Sequence, residues 1–147
     1  MDPNKINVVR QETPVVQVLR KLGAGEIVFA NQRAPLWDAA SQSRLIESLL
    51  VRIPLPGFWI DAVGEKWIIV DGNQRVKILD SFVNEGRFAL TGLEFLKELE
   101  NKTFAQLPRA HQRKIEEASL LFFVIRPETP AEARPYIWKR IGKEFAL

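Results

Sequence analysis

Hydrophobic positions follow two patterns along the chain: the three- and four-residue spacing of amphipathic helices, and short apolar runs typical of buried strands. The first pattern predicts helices over residues 14–23, 39–50, 73–86, 92–100, 108–118 and 131–147. The second predicts strands over residues 26–30, 58–61, 66–70, 87–90 and 120–125. Because these helices and strands interleave without regular strand–helix–strand alternation, we predict an α+β fold with a mixed sheet flanked by helices.

The length of 147 residues fits one domain. We divide the chain into residues 1–24, an N-terminal extension and helix, and residues 25–147, the domain proper. The first dozen residues are predicted to be loose or to form an edge strand. The run KWIIV, residues 66–70, is apolar after its lysine and is therefore predicted to be buried on both faces of the sheet.

Composition narrows the chemistry that the chain can perform. It has no cysteine and a single histidine, His111, which excludes a thiol nucleophile, a cysteine-based zinc site and a two-histidine metal site. Any catalysis would then depend on carboxylates, amides and arginines, with Mg²⁺ as the expected cofactor. No apolar run approaches the ~20 residues of a membrane span, and the N-terminus lacks a signal-peptide core, so we expect a cytoplasmic protein without membrane contact.

The net charge of +3 is spread evenly along the chain and does not by itself indicate a nucleic-acid partner. Arg109, Arg113 and Lys114 are predicted to share one face of a helix, where they could contact DNA phosphates. A solvated charged face is the alternative interpretation, because basic residues are mostly exposed in any protein.

The segment VDGNQR marks the point where an apolar strand gives way to a helix. Gly72 permits a sharp turn and close approach of a ligand, and the helix that follows offers free N–H groups to an anion. Arg75 would bind phosphate oxygens, Asp71 would hold Mg²⁺ or activate a water, and Gln74 would position that water or contact the nucleotide.

A structural interpretation of the same corner stays open. Asp-Gly is a common turn pair, and Asn73 is a common helix N-cap. Arg75 could pair with a nearby carboxylate such as Glu47, which the helical pattern places off the apolar stripe of its helix.

An earlier loop, NQRAPLW, offers a second set of binding residues. Gln32 and Arg33 could bind a phosphate, and Trp37 could stack on a base. Trp37 could equally anchor the loop on the hydrophobic core. Asp38 is the predicted N-cap of the next helix.

Four segments taken in order resemble the DGQQR-motif domain of GmrSD-type and SspE-type bacterial defence proteins. They are NQRAPLWD, SRLIESLLVRIPLPGFWI, WIIVDGNQRVKILDSFVNEGRFAL and LPRAHQRKIEEASLLFFVI. The resemblance covers about residues 25–141, and its combination of QRxPxW, LIESLLxxIPLP and DGxQR is specific. That family is similar in fold to ParB and sulfiredoxin, so the resemblance implies a ParB/sulfiredoxin-like domain.

The resemblance also implies a function. The matching positions Asp71, Gly72, Gln74 and Arg75 would form a nucleotide motif, with Gln32 and Arg33 as the earlier pair facing the same site. Asn73 stands where the family has glutamine, which keeps an amide on a shorter side chain. The family's nuclease domain is not part of this sequence, so we expect a nuclease or another partner to act with it.

We therefore expect a nucleotide-binding, NTP-hydrolysing domain that acts in DNA restriction or phage defence. One alternative is a non-catalytic adaptor that binds DNA or protein through the face of Arg109, Arg113 and Lys114. Another is a ParB-like metal-dependent nuclease that uses Asp71. The oligomeric state is left open.

Overall fold

The computed structural model describes residues 1–31 and 33–144. The described residues form five strands: β1 (Val8–Pro14), β2 (Ile27–Phe29), β3 (Phe58–Val63), β4 (Lys66–Asp71) and β5 (Ser119–Ile125). They also form five α-helices: α1 (Val15–Gly23), α2 (Ala39–Leu50), α3 (Asn73–Val83), α4 (Arg109–Glu117) and α5 (Arg134–Glu144). None of these helices is long and apolar enough to cross a membrane.

The five strands make one sheet in the order β1-β5-β3-β4-β2. The β1–β5 and β3–β4 pairs are antiparallel, whereas β3–β5 and β2–β4 are parallel. This mixed sheet confirms the predicted α+β class. β1 is an edge strand of this sheet, and α1 buries Val15, Val18 and Leu19 in the core, so residues 8–23 belong to the same sheet and core as the rest of the chain.

The hydrophobic core lies between one face of the sheet and helices α1–α4. Phe58, Ile60 and Ile69 from the strands are fully buried, as are Ile46 and Leu79 from the helices. Each such side chain contributes roughly 1.5–3 kcal/mol relative to an exposed one. This packing fixes the angle at which α3 leaves β4, and therefore the geometry of the corner at residues 71–75.

Helix α5 is held to β3 by a buried carboxylate. Asp61 is 2% exposed; it pairs with Arg134 and accepts a hydrogen bond of 3.0 Å from Trp138 Nε1. Because a buried charge is tolerated only when it is paired, this cluster explains an aspartate in the middle of a strand.

Strand β4 is less buried than its sequence predicted. Only Ile69 of this strand is fully buried, and its other side chains are half-buried or exposed. The prediction that residues 66–70 are buried on both faces is therefore wrong. Ile68 and Val70 alternate with the core residue Ile69 and therefore face the α5 side of the sheet, where both are half-buried.

Residues 87–100 also differ from the prediction, because they form neither a strand nor a full helix. Leu90 alone exchanges backbone hydrogen bonds with residues 101–102, and the only helical turn is a 3₁₀ turn at Lys97–Leu99. The cause is Glu47, which is 2% exposed rather than at the surface. Its carboxylate accepts the backbone N–H groups of residues 94–96 at 2.7–3.0 Å and fixes this segment as a loop.

Candidate functional site

A glycine, Gly72, forms the turn between β4 and α3. Gly72 has a φ of 105°, in the left-handed region that favours glycine. A Cβ on this residue would lie 2.3 Å from a ring carbon of Phe58, so the corner is also packed too closely for a side chain. The N-cap of α3 is Gly72, which has no side chain, and among the described residues the first backbone N–H groups of the helix have no hydrogen-bond partner, so they can bind a ligand or water.

Arg75 points into the protein rather than out of the corner. Its side chain is 3% exposed and donates hydrogen bonds to the carbonyl oxygens of Pro56 and Gly57. The guanidinium carbon lies 3.9 Å from the ring centroid of Phe58, a cation–π contact. The structural interpretation, in which Arg75 pairs with a nearby carboxylate, holds, but Glu47 is not that carboxylate because it binds the 94–96 loop.

The carboxylate partner of Arg75 is Asp71, whose Oδ2 lies 3.8 Å from Arg75 Nη2. Burial raises the pKa of Asp71, while the charge of Arg75 and the N–H of Gly72 oppose that rise. Burial also lowers the pKa of Arg75, against the opposing charge of Asp71. Asp71 Oδ2 and Arg75 Nε are buried and have no hydrogen-bond partner among the described residues, so the pair is held by its charges rather than by a direct hydrogen bond.

The two amides of the corner hold the loop that follows β2. Asn73 Oδ1 accepts the N–H of Ala30 at 3.0 Å, and its Nδ2 donates to the carbonyl of Ile69 at 3.0 Å. Gln74 Oε1 accepts the N–H of Leu36 at 2.9 Å. The side chain of Asn73 is thus fully engaged within the protein, whereas the amide nitrogen of Gln74 stays available.

Lys77 makes a third contact to this loop, and the sequence analysis did not predict a role for it. Its Nζ donates to the backbone carbonyls of Asn31, at 2.9 Å, and of Arg33. It lies four residues after Asn73, on the same face of α3, and that spacing could have identified it. Burial, and then the charge of Arg33, lower the pKa of Lys77. Helix α3 therefore fixes the loop at three points, through Asn73, Gln74 and Lys77.

The loop and the corner together enclose a small cleft. Its lining consists of Asn31, Arg33, Trp37, Val70, Asp71, Gly72, Asn73, Gln74 and Arg75. The structure thus brings together the predicted residues of both motifs, except Gln32, which lies outside the described residues. The cleft measures about 80 Å³, whereas whole small molecules occupy pockets of about 300–1,000 Å³. It has room for a phosphate-sized group, and the exposed Arg33 lies at its rim.

The other basic candidates lie apart from this cleft, on α4. Arg109 is bonded to Glu116 at 2.9 Å and to Gln112 at 3.0 Å. Arg113 and Lys114 are exposed. Lys114 lines a larger cavity, of about 490 Å³, whose charged side chains have both signs and so show no preference for anions.

Carboxylates are sparse around the cleft. Among the described residues, no group of three or more histidine, aspartate or glutamate side chains is placed to hold a metal ion. Asp71 is the one carboxylate in the lining described for this cleft. A Mg²⁺ ion here would need most of its ligands from phosphates and water, as is common for this ion.

Comparison of the chain with protein families, with curated proteins and with solved structures gives no match.

Proposed function

We propose that this chain is a nucleotide-binding domain of the ParB/sulfiredoxin-like class, and that the cleft at the β4–α3 corner holds nucleotide phosphates. One feature supports the proposal: the N-terminus of α3, which no described side chain caps, borders a cleft that the exposed Arg33 also lines. Free N–H groups and the positive end of a helix attract phosphate, and a nearby guanidinium adds a permanent charge.

The residues of the cleft have different roles in binding the nucleotide. The backbone N–H groups of residues 73–75 bind phosphate oxygens, and Arg33 reaches them from the rim. Arg75 raises the local positive potential from beneath without leaving its carbonyl partners. Because the cleft admits little more than a phosphate, the sugar and base lie outside it, and the half-buried Trp37, which packs against the hydrophobic core, offers the base only its exposed part.

Hydrolysis of the nucleotide is the second part of the proposal. Asp71 is the residue that would hold Mg²⁺, since it lines the cleft and carboxylate oxygens are ligands that this ion prefers. The ion would supply neutralisation of phosphate charge. Gln74 keeps its amide nitrogen free to orient a water, while its oxygen holds Leu36. The sequence resemblance to defence proteins supports a role for this activity in DNA restriction or phage defence, together with a nuclease or other partner.

Calorimetric titration with ATP, GTP and CTP, with and without Mg²⁺, tests the proposal. We expect the wild-type protein to bind at least one of them, and Arg33→Ala to bind it about 10- to 100-fold more weakly, the worth of a charged hydrogen bond. Arg20→Ala removes an exposed arginine from α1 and should bind as the wild type does. Absence of binding to all three nucleotides would contradict the proposal.

A DNA-binding adaptor is the second candidate, favoured by the exposed Arg113 and Lys114 on α4. It predicts DNA affinity that falls steeply with salt, that a R113A/K114A variant loses, and that nucleotides do not alter. The nucleotide proposal predicts no such loss in this variant's ATP, GTP or CTP titrations.

A further inference from the structure

Strand β1 leaves one edge of the sheet open. Within the part of the chain that the structure describes, it is the outermost strand on this side and pairs with β5 alone. Two backbone hydrogen bonds flank the strand: Arg126 N–H donates to Asn7 C=O at 2.8 Å, and Val15 N–H donates to Ala118 C=O at 2.9 Å. Because an antiparallel ladder alternates, the odd-numbered residues of β1 direct their backbone groups to β5.

The even-numbered residues therefore direct theirs to the open edge. These are Val8, Arg10 and Glu12, with both N–H and C=O, and Pro14, with its C=O alone. An open edge of this length is a template for another strand. Which strand it accepts is decided by the side chains that stand beside these groups.

Arg10 and Glu12 carry opposite charges two positions apart and are both exposed. Neither enters an ion pair among the described residues, and Arg10 lies 5.8 Å from the ring centroid of Phe123, on the face of the sheet. When two copies of the strand run antiparallel, this order of charges can put each arginine opposite a glutamate. We propose that β1 pairs antiparallel with β1 of a second copy, centred on Gln11, to form a homodimer with a continuous sheet.

The charges select this register. Centred on Gln11, each Arg10 lies opposite Glu12 of the second copy, and both residues have their backbone groups on the open edge, so each such pair exchanges two backbone hydrogen bonds. Moving the centre by one residue places Arg10 opposite Arg10, or Glu12 opposite Glu12. Like charges directly opposite each other are destabilising.

Exposed apolar side chains stand at both ends of the strand. Ile6, Val8 and Val16 are 37–39% exposed. The same register places Val8 of one copy opposite Pro14 of the other, with Ile6 and Val16 just beyond the ends of the paired strands. The dimer would thus cover apolar surface that the monomer leaves in water.

The proposed dimer does not depend on the nucleotide site. The cleft is built on β4 and the loop after β2, and these two strands lie at the far side of the sheet from β1. Dimer formation leaves the cleft open in both copies, so loss of one property leaves the other measurable.

Sedimentation equilibrium of the wild type and charge variants tests the dimer. We expect twice the monomer mass for the wild type, and the monomer mass for both Arg10→Glu and Glu12→Arg at the same concentration. The double reversal R10E/E12R should restore the dimer, because it restores complementary pairs. Lys97→Glu and Glu98→Lys, exposed reversals outside β1, should remain dimeric.

A wild-type monomer at every concentration would overturn the proposal and leave Arg10 and Glu12 as charges that protect the edge. A dimer that survives both single reversals would overturn it as well, since another surface would then form the contact. Amide hydrogen exchange gives a local readout. Arg10 and Glu12 N–H should be protected in the wild type and unprotected in Arg10→Glu, while those of Val9 and Gln11, bonded to β5, stay protected in both.

Discussion

The corner at residues 71–75 and the loop between β2 and α2 line one cleft but use their polar groups in opposite ways. At the corner, Arg75 is 3% exposed and Asn73 is 6% exposed, and both bond to backbone atoms of the protein. In the loop, Arg33 is exposed and its side chain is at the rim of the cleft. The corner builds the site, and the loop supplies a side chain that is accessible to a ligand.

Because of this difference, stability and ligand affinity should respond to different substitutions. Substitutions at the corner should change the stability of the protein first and ligand affinity only as a consequence. A substitution of Arg33 should change affinity and leave stability unaltered. The comparison fails if corner variants stay as stable as the wild type, or if Arg33 proves necessary for folding.

The largest effect is expected for Arg75→Ala. It leaves Asp71 and the carbonyls of Pro56 and Gly57 without their buried donor, which costs about 3–5 kcal/mol in the free energy of unfolding. Urea denaturation measures this loss, with Arg20→Ala as an exposed control that should stay within about 0.5 kcal/mol of the wild type. A loss below about 1 kcal/mol would contradict the internal role of Arg75.

Gly72→Ala should cause the next largest loss in the free energy of unfolding. The added Cβ meets Phe58 and must adopt a φ that L side chains rarely take, a cost of about 2–4 kcal/mol. Gly23→Ala, at the end of α1, has no atom within 4 Å of its Cβ and no positive φ. That control should be neutral or slightly stabilising, so equal melting temperatures for the two variants would argue against the packed corner.

Asn73→Ala should cost about 1 kcal/mol, because it removes two hydrogen bonds, from Ala30 N–H and to the buried Ile69 C=O, while Ala30 N–H keeps its 3.2 Å bond to Ile69 C=O. The loop after β2 should loosen with it, which amide exchange at Ala30 would detect. Asn84→Ala, which removes an exposed bond to Asp80, serves as the matched control. If Ala30 exchanged at the wild-type rate in Asn73→Ala, the loop would not depend on this amide.

The smallest effect on stability belongs to Arg33→Ala. Its exposed side chain should contribute within about 0.5 kcal/mol to folding. Thermal unfolding beside the nucleotide titration separates the two roles: an unchanged melting temperature with weakened binding is expected. A melting temperature as low as that of Asn73→Ala would instead show that Arg33 stabilises the fold, as the corner residues do.

Local signals in the sequence predicted most of the fold. Asp38 caps α2 through a 2.8 Å bond from Ser41 N–H, as its position indicated, and residues 119–125 form the expected strand. The strand-to-helix corner was also placed correctly at Asp71-Gly72. These features depend on residues close together in the chain, which a sequence pattern records directly.

The direction of polar side chains depends on distant partners and was not predictable in the same way. Arg75 bonds to carbonyls 18 and 19 residues earlier, and Glu47 to amides 47–49 residues later. Spacing marks such residues as polar but does not show whether they face water or a buried backbone group. The inward orientation of Arg75 is therefore what the structure adds to the motif.

An NMR titration of ¹⁵N-labelled wild-type protein with ATP and Mg²⁺ tests the central claim most directly. Phosphate bound at the helix N-terminus should shift the amides of Asn73, Gln74 and Arg75 more than any amide of α4, with the indole of Trp37 also affected. Shifts confined to α4, or no shift at residues 73–75 with ATP, GTP or CTP, would contradict a phosphate site at this corner.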